Sequence, residues 1–411
     1  MQKTVLLIAT FDTKEDEALF WKERIEIRGI RVLTMDTGIL APPRSNVDLT
    51  QVRIAERGGI PLNVAVAAGD KGKCILNMIR GAESLTKELY DQGDFQAVIS
   101  IGGAQGTEIA TAAMRTLPTG VPRLAVSTVA SGRAMFGPFV GTRDITMMHS
   151  VADIQGLNFL TRRILENAAG AICGMVTSLD EDAAKPEGIP VALSMLGTTT
   201  PGALRCKGML EKKGFEVVTF HQNGTGGIAM EDMIREGAFQ GVLDLNLHEI
   251  GDRYVGGLHG SIREDRLEAA GDLGIPQVVA PGSVNYVVLG PLAGLSPEWK
   301  SRKLIVHNPS LTLVRLTPGE LSHVGKVVAE KLNRAKGPTR VFIPLKGFSH
   351  PDREGLPHWE PEGNQAFIDS LKEFLDQSIP VIELNAHIND PEFIDPVTAA
   401  FLSMMKGKDT F

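Results

Sequence analysis

The 411-residue chain has few cysteines, no long apolar run and no excess of positive charge. Its three cysteines, Cys74, Cys173 and Cys206, are widely spaced and form no Cys-x-x-Cys pair, which indicates a reducing compartment and no zinc site. The apolar run 5–8 is too short for a signal peptide or a membrane span. With 42 basic and 49 acidic side chains, the net charge is -7, and no basic surface for nucleic acid is indicated. We therefore expect a cytoplasmic protein that binds neither nucleic acid nor membrane.

Several catalytic motifs are also missing. The chain has no Gly-x-x-x-x-Gly-Lys-Ser/Thr loop and no kinase signature, and Val129 breaks the Gly-x-Ser-x-Gly pattern at Ser131. His248-Glu249 lacks the second histidine of a His-Glu-x-x-His zinc protease. Standard ATPases, kinases, serine hydrolases and zinc proteases are therefore disfavoured.

Glycine is abundant, with 44 residues, and short apolar runs alternate with amphipathic stretches along the chain. This alternation predicts βαβ units and parallel sheets. We predict an α/β protein of two doubly wound, Rossmann-like domains with mainly parallel sheets that face a cleft. The charged segment 180–188, which contains proline and glycine, places the boundary between residues 1–180 and 181–411.

Polar residues follow the predicted strands of the first domain. Ligands of open α/β sheets bind beyond the carboxyl ends of the strands. The turn Gly102-Gly103-Ala104-Gln105-Gly106-Thr107 can present backbone N–H groups and a helix N-terminus to a phosphate. Lys14 can add positive charge, and hydroxyls are available from Thr107, Ser127, Thr128 and Ser131. The alternative is that these glycines only form turns.

Two aspartates of the same half have a functional and a structural interpretation each. Asp36 ends the second strand, where nucleotide-binding sheets place the acid that holds a ribose hydroxyl, but it could instead cap a helix. Asp144 follows a short apolar run and could coordinate magnesium through water, or pair with Arg143 or Arg133.

The second half contains the motif Gly224-Thr225-Gly226-Gly227-Ile228-Ala229, with Asp244 twenty residues beyond its first glycine. This spacing resembles a dinucleotide fingerprint. The motif, however, follows the second strand of its domain rather than the first, and His221 stands at the turn. We prefer a glycine-rich edge that faces the cleft together with Thr198, Thr199 and Thr200.

Four polar residues near strand ends of the second domain are candidates for catalysis: His221, Asp244, His307 and His387. Histidine can act as a general base or a metal ligand. A single histidine at a strand end is more often a hydrogen-bonded structural residue. We expect the four to converge on the cleft and hold a small-molecule substrate.

A set of ordered motifs extends over nearly the whole chain: residues 7–14, Gly102-Gly103, residues 126–132, Phe220-His221 with residues 224–227, and residues 386–390. Together they resemble the family related to the tomato mosaic virus resistance protein, described as an ATP-binding domain. The resemblance implies ATP binding with Mg²⁺ and without a P-loop. It places the nucleotide at Thr10, Asp12, Thr13 and Lys14, at the Gly102–Thr107 turn, and at the turn from Ser127 to Gly132.

Plant and fungal relatives carry a similar region fused to a TIM barrel, whereas this chain ends before such a barrel. A separately encoded barrel protein is therefore an expected partner, and we also expect a homo-oligomer. We interpret the chain as an ATP-binding protein and leave open whether it is an enzyme. It could transfer a phosphoryl or nucleotidyl group to a small metabolite, or bind a partner without catalysis when ATP is bound. A third alternative is a nucleotide-sugar epimerase or glycosyltransferase.

Overall fold

A computed structural model describes residues 2–131, 139–179 and 185–406 of the chain. The chain forms two compact units, Met1–Ala184 and Lys185–Phe411. Residues 180–184 of the predicted linker lie outside the described residues.

The first unit is built on one parallel sheet. Its strands are β1 (Thr4–Ala9), β2 (Arg31–Asp36), β3 (Ala97–Gly102), β4 (Arg123–Ser127) and β5 (Thr146–His149). Its described helices are α1 (Phe11–Glu26), α2 (Gln51–Gly58), α3 (Leu62–Ala67), α4 (Lys71–Asp91), α5 (Ala104–Arg115) and α6 (Phe159–Thr177). The five strands lie in the order β2-β1-β3-β4-β5, and every neighbouring pair is parallel.

Alternation along the strands creates a core on both faces of this sheet. In β1, Val5 and Leu7 belong to one hydrophobic cluster, whereas Leu6 and Ile8 belong to another. All six residues of β1 are buried. A strand covered on both faces is a nearly continuous apolar run, which is the pattern that the sequence shows here.

The second unit contains a larger parallel sheet and a small antiparallel one. Its strands are β6 (Ile189–Met195), β7 (Phe215–His221), β8 (Gly241–Asn246), β9 (Gln277–Gly282), β10 (Tyr286–Leu289), β11 (Leu304–Asn308), β12 (Leu311–Arg315), β13 (Thr339–Pro344) and β14 (Val381–Leu384). Its described helices are α7 (Thr200–Glu211), α8 (Thr225–Arg235), α9 (His248–Val255), α10 (Ala269–Leu273), α11 (Pro297–Lys300), α12 (Pro318–Leu332), α13 (Pro361–Phe374) and α14 (Pro391–Lys406). Six strands form the parallel sheet in the order β14-β13-β9-β8-β6-β7, and three form the sheet β10-β12-β11.

The predicted α/β class with parallel sheets is confirmed, and the local differences have physical causes. Between β2 and α4 the chain forms α2 and α3, which are too short to give a long periodic signal in the sequence. Strands β5, β10 and β12 have four or five residues each and were not predicted. None of the described helices is long and apolar enough to cross a membrane.

Candidate functional site

The carboxyl edge of the first sheet contains a cavity of about 290 Å³. Because β1 lies between β2 and β3, the chain crosses over in opposite directions from the middle of the sheet, and such a switch point is where doubly wound sheets bind ligands. The cavity is lined by Thr10, Asp12, Thr13, Lys14, Ile39, Leu40, Lys71, Gly103, Ala104, Gln105 and Gly106. The loop after β1 and the start of α5, both predicted as site segments, therefore meet at one cavity.

The N-terminus of α5 forms one wall of this cavity. Gly103 is the N-cap residue, with φ -80° and ψ -162°, and its carbonyl accepts the Thr107 N–H at 2.9 Å. The N–H groups that precede Thr107 in this turn therefore have no carbonyl acceptor within the helix. A Cβ atom added at Gly106 would lie 3.7 Å from the Ile101 carbonyl oxygen, an ordinary contact. A Cβ atom at Gly106 is thus compatible with the fold.

Two lysines bring positive charge to the cavity. Lys14 lies in the first turns of α1 but has a non-helical conformation, with φ -130° and ψ 23°. Lys71 is the first residue of α4, directly after its N-cap Asp70. Lys71 was not predicted as a site residue. Its position after a capping aspartate, at the end of the segment that follows β2, is the signal that could have identified it.

Asp12 and Asp36 have different roles at this edge. Asp12 Oδ2 accepts the Ile39 and Leu40 N–H groups, both at 2.9 Å, and so holds the loop after β2 at the cavity wall. Asp36 is fully buried, and its Oδ1 accepts the Phe11 N–H at 3.0 Å at the start of α1. Burial raises the pKa of Asp36 to about 6, and the negative charge of Asp12 acts in the same direction. Because Asp36 accepts the N–H group of the first residue of α1, its position agrees with the alternative interpretation that it caps a helix.

The predicted hydroxyl donors are not equally placed. The Thr107 and Ser127 hydroxyls are buried and hydrogen-bond to each other at 2.6 Å, which ties the first turn of α5 to the end of β4. Thr128 is partly exposed, and its Oγ1 would lie 3.7 Å from a Cβ atom built at Gly103. Ser131 is exposed. Gly132 lies outside the described residues, so its predicted role has no structural counterpart here.

Asp144 does not lie at the predicted edge. It precedes β5, and it forms an ion pair with the buried Arg123, the first residue of β4. Its Oδ2 also accepts the Gly120 N–H at 3.0 Å. The aspartate is therefore at the amino-terminal edge of the sheet, where it pairs with Arg123. Arg133, one of the two partners that the sequence suggested, lies outside the described residues. The hypothesis of a magnesium ligand near the nucleotide loops is corrected accordingly.

The second unit has its own cavity, of about 270 Å³. Two of the four predicted catalytic candidates line it: His221 at the end of β7, and His307, which lies in β11 of the small sheet rather than at an end of the parallel sheet. Thr198, His259 and Tyr286 line the same cavity. His259 was not predicted, because it lies in a glycine-rich loop after α9 rather than next to a strand.

The other two candidates are buried structural residues. Asp244 accepts hydrogen bonds from the Ser194 hydroxyl at 2.7 Å and from Arg266 Nη1 at 2.5 Å. His387 uses both ring nitrogens: the Asn389 N–H donates to Nδ1 at 3.1 Å, so Nε2–H donates to the Ser349 carbonyl at 2.9 Å. These bonds correspond to the structural alternative for histidines at strand ends.

In the glycine motif of the second unit, two backbone N–H groups already donate hydrogen bonds to a side chain of the protein. Glu249 Oε1 accepts the Gly224 N–H at 2.6 Å and the Gly227 N–H at 3.1 Å, and its other oxygen accepts from Arg266 at 3.1 Å. A carboxylate of the protein thus takes the place that a pyrophosphate would occupy in a dinucleotide site. This geometry opposes the dinucleotide interpretation.

Comparison with known proteins is consistent with this architecture. Models of the uncharacterised protein family UPF0261 match residues 3–181 with the N-terminal domain and residues 189–405 with the C-terminal domain. The chain belongs to the UPF0261 family. The UPF0261 protein of Clostridium tetani is 41% identical over 409 residues, with 99% of this chain and 100% of that protein covered.

The predicted resemblance to the family of the tomato mosaic virus resistance protein is confirmed. The ToMV resistance protein Tm-1 of Solanum lycopersicum is 35% identical to this UPF0261 protein over 340 residues, which are 81% of this chain and 45% of the tomato protein.

Among solved structures, Acinetobacter baumannii MurG is 12% identical, with 98% of this chain and 91% of that chain covered and a TM-score of 0.23. That likeness has no bearing on function.

Proposed function

We propose that the first unit of this UPF0261 protein binds ATP, with the phosphates against the N-terminus of α5. The observation that supports this most directly is the cavity at the switch point, where the first turn of α5 is flanked by Lys14 and Lys71. A helix N-terminus carries about half a positive charge and presents unpaired N–H groups. An anion with several oxygens matches this combination.

The size of the cavity bears on which part of the nucleotide it holds. Its volume of about 290 Å³ is at the lower end of the roughly 300 to 1,000 Å³ typical of small-molecule sites. The triphosphate fits that volume better than a complete enclosed nucleotide. The wall formed by Ile39 and Leu40 offers apolar surface beside the charged groups.

Magnesium would be held by Asp12 in this proposal. Mg²⁺ prefers oxygen ligands and usually combines one or two carboxylates with substrate phosphates. Asp12 is the carboxylate among the described lining residues, and two backbone N–H groups hold its Oδ2 in place. The hydroxyls of Thr10 and Thr13, 3.1 Å apart, lie in the same wall. This donor set fits a magnesium-bound phosphate, whereas the distant Asp144 does not contribute.

Isothermal titration calorimetry with MgATP tests the site. We expect Lys71→Ala to weaken binding by about tenfold or more, because a hydrogen bond to a charged group is worth about 1.5 to 3 kcal/mol. The matched control is Lys73→Ala, which removes the same charge from α4 at an exposed residue that pairs with Asp70 and does not line the cavity. The control should bind MgATP like the unchanged protein.

A second variant tests the helix terminus itself. Gly106→Val should abolish binding in a folded protein, because a branched side chain would occupy the space where the N–H groups approach phosphate. Unchanged affinity in both Lys71→Ala and Gly106→Val would refute the proposed site. Tighter binding of NAD or of a UDP-sugar than of MgATP would refute the proposed ligand.

Binding precedes either activity that we consider. Release of ADP or pyrophosphate in the presence of small metabolites would indicate phosphoryl or nucleotidyl transfer. ATP-dependent association with a TIM-barrel protein, or a change in the homo-oligomer on binding ATP, would indicate a nucleotide-responsive binding protein instead.

A further inference from the structure

Three side chains with metal-ligating atoms meet beside the cavity of the second unit. His248 and Asp252 lie four residues apart on α9 and therefore on one face of the helix. His259 returns to them through the loop that follows Gly256, which has φ +77°. His248 Nε2 lies 3.1 Å from His259 Nδ1 and 3.3 Å from Asp252 Oδ1, and one ligand atom from each residue lies within 4.8 Å of the others.

The hydrogen bonds of His248 determine what its second nitrogen can do. Nδ1 lies 3.1 Å from the Ser283 carbonyl oxygen, which only accepts, so Nδ1 carries the proton. In the neutral ring, Nε2 then presents a lone pair. This lone pair faces Asp252 Oδ1, which is also an acceptor. The same lone pair also faces His259 Nδ1 at 3.1 Å, so either a proton on that nitrogen or a metal ion bound by all three groups satisfies it.

Other contacts hold the three side chains in place without occupying His248 Nε2 or His259 Nδ1. The Val288 N–H donates to Asp252 Oδ1 at 3.0 Å, and the His259 N–H donates to Oδ2 at 2.9 Å. The Tyr286 ring packs on His248 with a centroid distance of 4.8 Å. A backbone carbonyl that orients a histidine through its other nitrogen is a common outer-shell contact of metal sites.

We propose that His248 Nε2, the Asp252 carboxylate and His259 Nδ1 bind a divalent transition-metal ion, with Zn²⁺ as the probe. Metal–ligand bonds of about 2.0 to 2.1 Å in a tetrahedral site separate ligand atoms by roughly 3.3 Å. The distances of 3.1 and 3.3 Å from His248 Nε2 match that spacing. The expectation of no zinc site came from cysteine spacing, and these ligands contain no sulfur.

The location points to an ion with an open coordination position. His259 lines the cavity together with His221 and His307, so a fourth ligand can arrive from that side. Sites with three protein ligands and one open position are typical of catalytic rather than structural zinc. The class of ligand is therefore a polar small molecule or water bound through oxygen or nitrogen. This inference concerns the second unit and does not depend on ATP binding in the first.

Titration of the full-length, chelator-treated protein with ZnCl₂ tests the proposal. We expect one equivalent to bind, and Co²⁺ to give the visible absorption of a tetrahedral site. His259→Gln should weaken Zn²⁺ binding by about 100-fold, since losing even an outer-shell partner costs 10- to 100-fold. The control is His323→Gln, because His323 is exposed and stacks on Tyr254 instead of joining the cluster.

Absence of stoichiometric Zn²⁺ binding by the unchanged protein would overturn the proposal and leave the histidine pair as a structural hydrogen bond. Equal binding by His259→Gln would do the same. If this variant does not fold, X-ray absorption of the zinc-loaded unchanged protein decides instead. Two imidazole ligands and an oxygen ligand would support the site, and any set without two imidazoles would refute it.

Discussion

The carboxyl group of Asp36 gives a pH-dependent prediction. Asp36 is fully buried, and burial raises its pKa from 3.8 to about 6. Its Oδ1 accepts the N–H groups of Phe11 and Gly38, whereas its buried Oδ2 has no hydrogen-bond partner among the described residues. Asp36→Asn keeps an oxygen for both N–H groups and removes the group that titrates.

The sign follows from proton linkage. Between pH 4 and pH 6 the folded state holds the Asp36 proton more tightly than the unfolded state, so this group contributes less to the free energy of unfolding as the pH rises. A pKa raised from 3.8 to about 6 corresponds to a loss of roughly 2 kcal/mol between pH 4 and pH 7. Asp36→Asn lacks this loss. The free energy of unfolding of Asp36→Asn minus that of the unchanged protein should therefore increase by roughly 2 kcal/mol from pH 4 to pH 7.

Urea unfolding at several pH values measures this difference. Trp21 is the single tryptophan of the first unit and is fully buried, so its fluorescence reports that unit when Trp299 and Trp359 are both replaced by phenylalanine. The comparison of pH 4 with pH 7 removes any pH-independent cost of the buried amide. If the difference between Asp36→Asn and the parent protein stays constant with pH, Asp36 does not carry a raised pKa and the reasoning is refuted.

Two further predictions concern the second unit. Arg266→Leu should destabilise it by about 3 to 5 kcal/mol in urea unfolding, because Arg266 is buried among three carboxylates that would lose their compensating charge. Arg205→Leu, which breaks a half-exposed pair with Asp395, should cost no more than about 1 kcal/mol, and equal losses would contradict the role of burial. Gly208→Ala should add roughly 0.5 to 1 kcal/mol, because a Cβ there meets no atom within 4 Å in α7. A lower midpoint of thermal unfolding would contradict this expectation.

The sequence predicted those features that depend on neighbouring residues. The turn at Gly102–Thr107 was predicted because glycines follow an apolar run directly. Lys71 was missed because it reaches the same cavity from a different helix, after two short helices that lack a clear period. Proximity of that kind depends on tertiary packing rather than on local pattern.

The residues of the second unit show a related limit. Position at a strand end can be recognised in a sequence, but burial of the side chain cannot, so Asp244 and His387 resembled the exposed His221. His248 and Asp252 were not predicted as a pair, although their spacing of four residues fits one face of a helix. The third member of the cluster, His259, comes from a loop, and no helical or strand period predicts its position.

The two units use the same kind of sheet edge with opposite electrostatics. In the first, the turn before α5 opens to a cavity that contains two lysines. In the second, Glu249 supplies the anion for the amides before α8, and Arg266 neutralises that carboxylate internally. An external phosphate at α8 would have to displace a buried, paired carboxylate, which is costly. The second edge is therefore better suited to the proposed metal ion and a polar ligand at its histidines, and the proposed nucleotide should bind with its phosphates at the first edge.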